Sequence, residues 1–248
     1  MTNNRRLWAE ILVVTAVTFG TSGLRAILRL IDDLLAPTSL NEQQVTLNQS
    51  QSPLPLLDVA LQLSSALVLF AWGALALLLL AYDGRRLTDP RASDLGWGAL
   101  LAAIIGIPGL ALYVTAVQLG LSKVVVPTGF DNAFTEIPLL LTWSAANAFG
   151  EEIVVVAWLM TRLRQLRIPL AGALAASALL RGSYHLYQGI SAGLGNIVMG
   201  VVYGWFFART GRITPLIIAH FLIDAIAFVG YALLAPHLGW LLPTPGGT

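Results

Sequence analysis

The stretch Asn147-Ala148-Phe149-Gly150-Glu151-Glu152-Ile153-Val154-Val155-Val156-Ala157-Trp158 decides how the chain is read. It sets two adjacent carboxylates in the middle of an apolar run long enough to cross a bilayer. Charge at that depth costs about 2.5–3.5 kcal/mol per residue on insertion scales. Two carboxylates side by side also repel, so at least one must be protonated, paired with a cation or turned to water. The other spans must therefore supply whatever faces this pair.

Composition fixes the setting. The chain has 248 residues, of which 56% are hydrophobic and 11% charged. Soluble domains average about 25% charged residues, so an integral membrane protein is expected. Cysteine is absent, which excludes disulfides, thiolate metal sites and a cysteine nucleophile. Arg5 and Arg6 precede an apolar run as in a signal peptide. Glu10 interrupts that run and no A-x-A-like site closes it, so an uncleaved first span is expected.

A hydrocarbon core about 30 Å thick needs about 20 apolar residues of helix. Runs on that scale fall at 7–31, 56–82, 97–120, 137–161, 169–187, 191–208 and 213–235. They predict an all-α polytopic bundle of about seven spans. Three spans lie in 1–136, four form a core over 137–235, and 236–248 is a short tail. The polar linker 36–55, with Pro37, Asn41, Gln43, Gln44, Pro53 and Pro55, reads as a flexible loop. No internal repeat is apparent. Alternate loops carry Arg5 and Arg6; Arg85, Arg86 and Arg91; Arg162, Arg164 and Arg167; and Arg209 and Arg212. The opposite loops carry only Lys123, with Asp32, Asp33, Glu42, Asp131 and Glu136. By the excess of cations on the inner side, the N-terminus is cytoplasmic.

Glu10, Arg25, Arg29, Asp58, Glu151, Glu152, Arg181, His185, His220 and Asp224 lie within or at the edge of these runs. Arg25 and Arg29 are expected to snorkel outward or to pair with Asp32 and Asp33. Glu10 and Asp58 are expected to reach the interface. The others form a pattern. Arg181 and His185 are one helical turn apart, as are His220 and Asp224, and as are Asn147 and Glu151, so each pair shares a face. Glu152 is rotated about 100° from Glu151. Polar faces on three spans are what surrounds a shared internal cavity.

A carboxylate and two imidazoles activate water and carry protons. The same groups suit a divalent metal such as zinc, and an imidazole can donate to an oxyanion. Hydrolysis within the membrane plane fits these groups, and so does proton-coupled transport.

Order and spacing narrow the choice. Glu151-Glu152, then His185 on the next span, then His220-x-x-x-Asp224, resembles the CPBP family of CaaX prenyl proteases and bacteriocin-processing, Abi-type intramembrane proteases. The motifs of that family are E-E-x-x-x-R, F-x-x-x-H and H-x-x-x-N or H-x-x-x-D. Thr210-Gly211-Arg212-Ile213-Thr214-Pro215 before His220 is similar to the family's approach to its last motif. The likeness covers roughly residues 137–230. It implies an intramembrane endopeptidase of the bacterial cell membrane, acting on a peptide or membrane-protein substrate in the bilayer, with no nucleic-acid partner. It implies Glu151 as the base that activates water and Glu152 as its neighbour. His185 would bind or orient that water, and His220 with Asp224 would serve the oxyanion or the water. Asn147 and Arg181 support them. Two routes stay open: a zinc-type metal held by Glu151, His185 and His220, or a metal-independent glutamate mechanism. The alternatives to an enzyme are an inactive scaffold with the same fold and, disfavoured by the lack of a repeat, a proton-coupled transporter.

Two positions depart from the motifs. Val156 stands where the arginine belongs, and Arg181 stands where the phenylalanine belongs. The expectation is that Arg181 replaces the missing cation from the neighbouring helix; the alternative is that it snorkels outward. Depth adds a constraint. At 1.5 Å per residue, Glu151 lies ~16 Å from Arg162, His220 ~8 Å from Pro215 and His185 ~24 Å from Pro169. Gathering them calls for strong tilt, a break near Gly182 or a deeper start to the fifth span. Gly189-x-x-x-Gly193 and Gly200-x-x-x-Gly204 offer close helix packing.

Overall fold

A computed structural model describes residues 3–126 and 132–234. The expected tail at 236–248 and residues 127–131 lie outside them. The chain is a helical bundle: α1 (Asn3–Thr15), α2 (Thr21–Leu35), α3 (Pro55–Tyr82), α4 (Ser93–Gln118), α5 (Ala133–Glu151), α6 (Leu159–Gln165), α7 (Leu170–His185), α8 (Ile190–Thr210), α9 (Thr214–Ala225) and α10 (Tyr231–Leu234). π-helical segments at Ala16–Gly20, Glu152–Trp158 and Ile226–Gly230 join α1 to α2, α5 to α6 and α9 to α10. Counting those joins, six stretches are long and apolar enough to cross a membrane. The protein is an integral membrane protein of the all-α polytopic class.

The seventh expected span is different. Helix α7 has 16 residues, short of the roughly 20 that a full crossing needs. Yet it runs between the two ends of the bundle. The turn Leu186–Gln188 that follows it meets the opposite loop, where Gln188 O accepts from Lys123 N at 3.2 Å and Leu121 O accepts from Ile190 N at 3.2 Å. Packing explains how so short a helix is placed. A Cβ added to Gly200 would lie 2.8 Å from Ala178 Cα, and one added to Gly182 would lie 2.8 Å from Gly193 O. Helices α7 and α8 therefore touch backbone to backbone, the arrangement that small residues permit. Helix α7 stays regular through Gly182, so the break considered there is not used.

The central element is the continuous helix Ala133–Gln165, 33 residues long and the most buried of the six. From Ile153 to Met160 every side chain is buried. It is far longer than a perpendicular crossing requires, a mismatch that helices relieve by tilting. Near its far end one arginine turns into the bundle. Arg162 is fully buried and donates to Glu10 at 2.6 Å, to Asp83 at 2.6 Å and to Leu79 O at 2.8 Å. Depth measured from Arg162 thus starts from a residue inside the bundle. Glu10, expected at the interface, instead accepts from Arg162 and from Trp158 Nε1 at 3.0 Å. A buried guanidinium needs an anion, and Glu10 is one that the first helix can offer.

Ion pairs sort the loops by end. Arg6 pairs with Asp83 at 2.6 Å, Arg162 joins the same carboxylate, and Arg212 pairs with Asp94. At the other end Lys123 pairs with Asp33 at 2.5 Å. The arginine-rich loops therefore share one end. Arg25 and Arg29 are exposed and make no ion pair among the described residues, Asp33 being taken by Lys123.

The linker 36–55 is more ordered than its composition suggests. Ser39 and Glu42 form a reciprocal cap around Leu40–Glu42. Strand β1 (Gln44–Thr46) pairs in parallel with β2 (Val124–Val126). Asp58, also expected at the interface, accepts from Gln51 N at 2.5 Å and Ser52 N at 3.2 Å. Polar side chains that composition marks as loop-forming are here spent on holding the loop to α3 and to β2.

Asp83 gives a pH prediction. The hydrogen bond from Arg6, reinforced by the charge of Arg162, holds its carboxyl below the usual carboxylate range despite partial burial. A depressed folded-state pKa contributes stability that is present above the unfolded value and lost as pH falls through the folded one. Asp83→Asn is therefore expected to lower thermal stability at neutral pH and to flatten its decline in acid, measured as Tm against pH in detergent. Parallel curves for the two proteins would refute the assignment.

Candidate active site

The polar faces of α5, α7 and α9 meet at Glu151 and Glu152. Glu151 closes the α-helical part of the central helix and Glu152 opens its π-helical segment. A π-helical turn is rare and concentrates at functional sites, since it frees backbone carbonyls and alters which side chains share a face. Ser177 Oγ donates to Val155 O at 2.7 Å, so α7 supplies a partner to a carbonyl within that segment.

Arg181 occupies the gap between α7 and the glutamates. Its side chain is fully buried, which rules out the outward snorkel. Nη2 donates to Glu152 Oε1 at 2.6 Å, and Nη1 reaches Glu151 Oε2 at 3.5 Å. A helical side chain leans toward its own N-terminus, so Arg181 extends back along α7 to the level of the carboxylates. The planar guanidinium presents donors on two edges and serves both glutamates despite their different directions on the helix. Val156, at the position of the family's arginine, is fully buried in the apolar core.

His220 binds the pair from α9. Its Nδ1 lies 2.7 Å from Glu152 Oε1. An ionised carboxylate only accepts, so Nδ1 carries the proton in this contact. The other ring nitrogen turns toward Asp224, with Nε2 3.6 Å from Oδ1. Asn147 Nδ2 donates to Asp224 Oδ2 at 3.0 Å and ties the aspartate to α5. A continuous polar chain results, running Asn147, Asp224, His220, Glu152, Arg181, Glu151.

His185 stands apart from that chain. Its Nδ1 lies 3.0 Å from Arg181 O, and it makes no direct side-chain bond to Glu151 or His220 among the described residues. Its ring packs against Tyr184, with centroids 4.7 Å apart.

Sequence reasoning overlooked several contributors. Tyr184 donates its hydroxyl to Glu151 Oε2 at 2.7 Å. It lies three residues after Arg181 and so shares its face, which was the available signal. Tyr203, on α8, sets its ring under Arg181 with 5.8 Å from Cζ to the centroid. Its hydroxyl is buried without a partner among the described residues. Met199 Sδ lies 3.8 Å from Arg181 Nη1. No charge or motif marks Tyr203 or Met199 in the sequence.

The two glutamates are unequal. Glu152 is fully buried at 0% exposure, and its Oε1 accepts from both Arg181 and His220. Glu151 keeps 6% exposure, and both of its contacts fall on Oε2. Of the pair, Glu151 is the carboxylate that a small molecule can still reach.

Among the described residues, no three His, Asp or Glu side chains are grouped so as to hold a metal ion. The cation between the carboxylates is Arg181 itself.

No curated protein and no solved structure matches the chain. The family described as type II CAAX prenyl endopeptidase Rce1-like matches residues 133–226, from the start of α5 to just past α9. That interval contains Glu151, Glu152, Arg181, His185, His220 and Asp224, the residues whose order carries the likeness in the sequence. Residues 133–226 are thus similar to the type II CAAX prenyl endopeptidase family, in the interval where the sequence motifs fall.

Proposed function

We propose that the protein is an intramembrane endopeptidase in which Glu151 activates water for attack on a peptide bond of a membrane-associated peptide or protein. The observation that carries this reading is the inequality within the glutamate pair: Glu152 is wholly enclosed with its Oε1 held by Arg181 and His220, while Glu151 retains access. In this scheme Glu151 takes a proton from water as the water oxygen bonds to the scissile carbonyl carbon. The carbonyl oxygen becomes an oxyanion, which accepts a hydrogen bond from the Nε2–H of His185 or His220 in its doubly protonated form, since Nδ1 of each ring is committed to a protein oxygen. Collapse breaks the C–N bond, and the proton held by Glu151 passes to the departing amine. Arg181 and Tyr184 position Glu151, and Glu152 positions His220. Asp224 and Asn147 hold the far side of the His220 ring. This route needs no metal, in keeping with the guanidinium at the centre of the site.

A comparison of membrane-protein and peptide termini from cells carrying the wild type or Glu151→Ala tests the reading. New termini that require Glu151 are expected, and they name the substrate. Cleavage of that substrate by the purified protein is expected to persist in a strong chelator. Identical termini in the two strains, with full complementation by Glu151→Ala, would instead favour a non-catalytic scaffold. Loss of cleavage on chelation, restored by zinc, would overturn the metal-free route.

A further inference from the structure

A second feature lies away from the glutamates, at the arginine-rich end. A cavity of about 330 Å³ is lined by Arg85, by Met160, Thr161, Arg164 and Gln165 of the central helix, by Leu170 at the start of α7, and by Phe207 and Ala208 of α8. Its size falls at the small end of the roughly 300–1,000 Å³ typical of ligand pockets.

Its walls are divided by chemistry. Met160, Leu170, Phe207 and Ala208 form an apolar floor, while Arg85 and Arg164 are exposed. No Asp or Glu lines it. Arg85 makes no ion pair among the described residues. Arg164 gives one N–H to Ile168 O at 2.7 Å and also makes no ion pair among them. Two guanidinium groups without counter-ions beside an apolar floor are matched by an anionic amphiphile.

The level of the cavity identifies that amphiphile. Phe207 and Ala208 lie between Trp205 and Arg209 on α8. Trp205 is half exposed, and Arg209 Cζ sits 5.4 Å above its ring. Exposed tryptophan with arginine at the end of a span marks the boundary between hydrocarbon and headgroups. Nearby, Trp97 packs its half-exposed ring on Phe206 with centroids 5.8 Å apart. The cavity thus opens where lipid phosphates lie, and the adjacent N-terminus of α7 adds a favourable dipole for an anion.

We propose that this cavity binds an anionic phospholipid from the leaflet on the arginine-rich side. Arg85 and Arg164 take the phosphodiester in charge-assisted bonds, and Met160, Leu170 and Phe207 cover the first part of an acyl chain. The lipid bridges the central helix to α7 and α8, the helices that carry the glutamates, Arg181 and Tyr203. It would therefore clamp the active-site helices from below without touching the active-site residues.

The test uses the full chain, purified in detergent and stripped of lipid. Phosphatidylglycerol and phosphatidylcholine with the same acyl chains are added separately, with retention read by native mass spectrometry and stability by Tm. Phosphatidylglycerol is expected to be retained about tenfold better or more, because both lipids carry the phosphodiester but only in phosphatidylcholine does a headgroup ammonium offset it beside the two arginines, and to raise Tm. Arg85→Gln with Arg164→Gln should bring retention down to the phosphatidylcholine level, leaving the lipid-free Tm unchanged. Ala208→Trp, which fills the cavity from an exposed helix position, should also block retention. Equal retention of the two lipids by the wild type, or preference surviving in Ala208→Trp, would overturn the proposal. So would inorganic phosphate stabilising the protein as well as phosphatidylglycerol, which would make this a site for a soluble anion.

Discussion

Arg181→Leu is expected to destabilise the protein by about 3–5 kcal/mol, the usual cost of removing one partner from a buried ion pair. The substitution keeps apolar bulk but leaves Glu151 and Glu152 with no cation between them. Glu152 then holds only His220, and two carboxylates face each other in a fully buried site. Arg181→Lys should recover part of the loss, because one ammonium cannot span both carboxylates as the guanidinium does. The double change Arg181→Leu with Glu152→Leu should be less harmful than the sum of the single changes, since it removes both the cation and its closest anion. Thermal unfolding in detergent measures all three. A strictly additive double variant would mean that the 2.6 Å contact contributes nothing, and the central pairing would have to be abandoned.

The second large effect separates the two glutamates. Glu151→Gln should lower turnover by about 10²–10⁴-fold, the range attributed to a general base, while shifting Tm little. The amide oxygen can still accept from Tyr184, and the Arg181 contact it weakens is already long at 3.5 Å. Glu152→Gln should lower stability as well as turnover. It removes the charge that accepts from Arg181 at 2.6 Å and from His220 at 2.7 Å. Activity and Tm measured on the same preparations give the split. Equal loss of activity with an unchanged Tm in both variants would make the pair functionally equivalent, and the assignment of Glu151 as base would lose its support.

Parts of the site were legible because they rest on local rules. The four-residue spacings of Arg181 with His185 and of His220 with Asp224 define helical faces whatever surrounds them. The cost of charge in hydrocarbon makes Glu151 and Glu152 conspicuous in any context. Tyr203 and Met199 illustrate the opposite case: an aromatic and a thioether on an apolar helix look like core, and only the position of Arg181 makes them neighbours of a cation. Glu10 was misjudged for a related reason. Its place near the start of a span suggests the interface, but Arg162 is drawn inside the bundle and brings the need for an anion with it.

The sequence by itself determined the class of protein, the succession of helices, the separation of arginine-rich from arginine-poor ends and the ionisable groups gathered around the glutamate pair. Each of these depends on chain-local quantities: the length of apolar runs, the sign of loop charges and the period of the helix. Tertiary structure decided the rest. It turned Arg181 inward, divided the glutamates into one enclosed and one reachable carboxylate, and left His185 beside the polar chain instead of within it. It also inserted a π-helical segment after Glu151 and made α7 a short helix held against α8. These outcomes depend on the depth and rotation of each helix, which are set by the neighbours it packs against and not by its own residues.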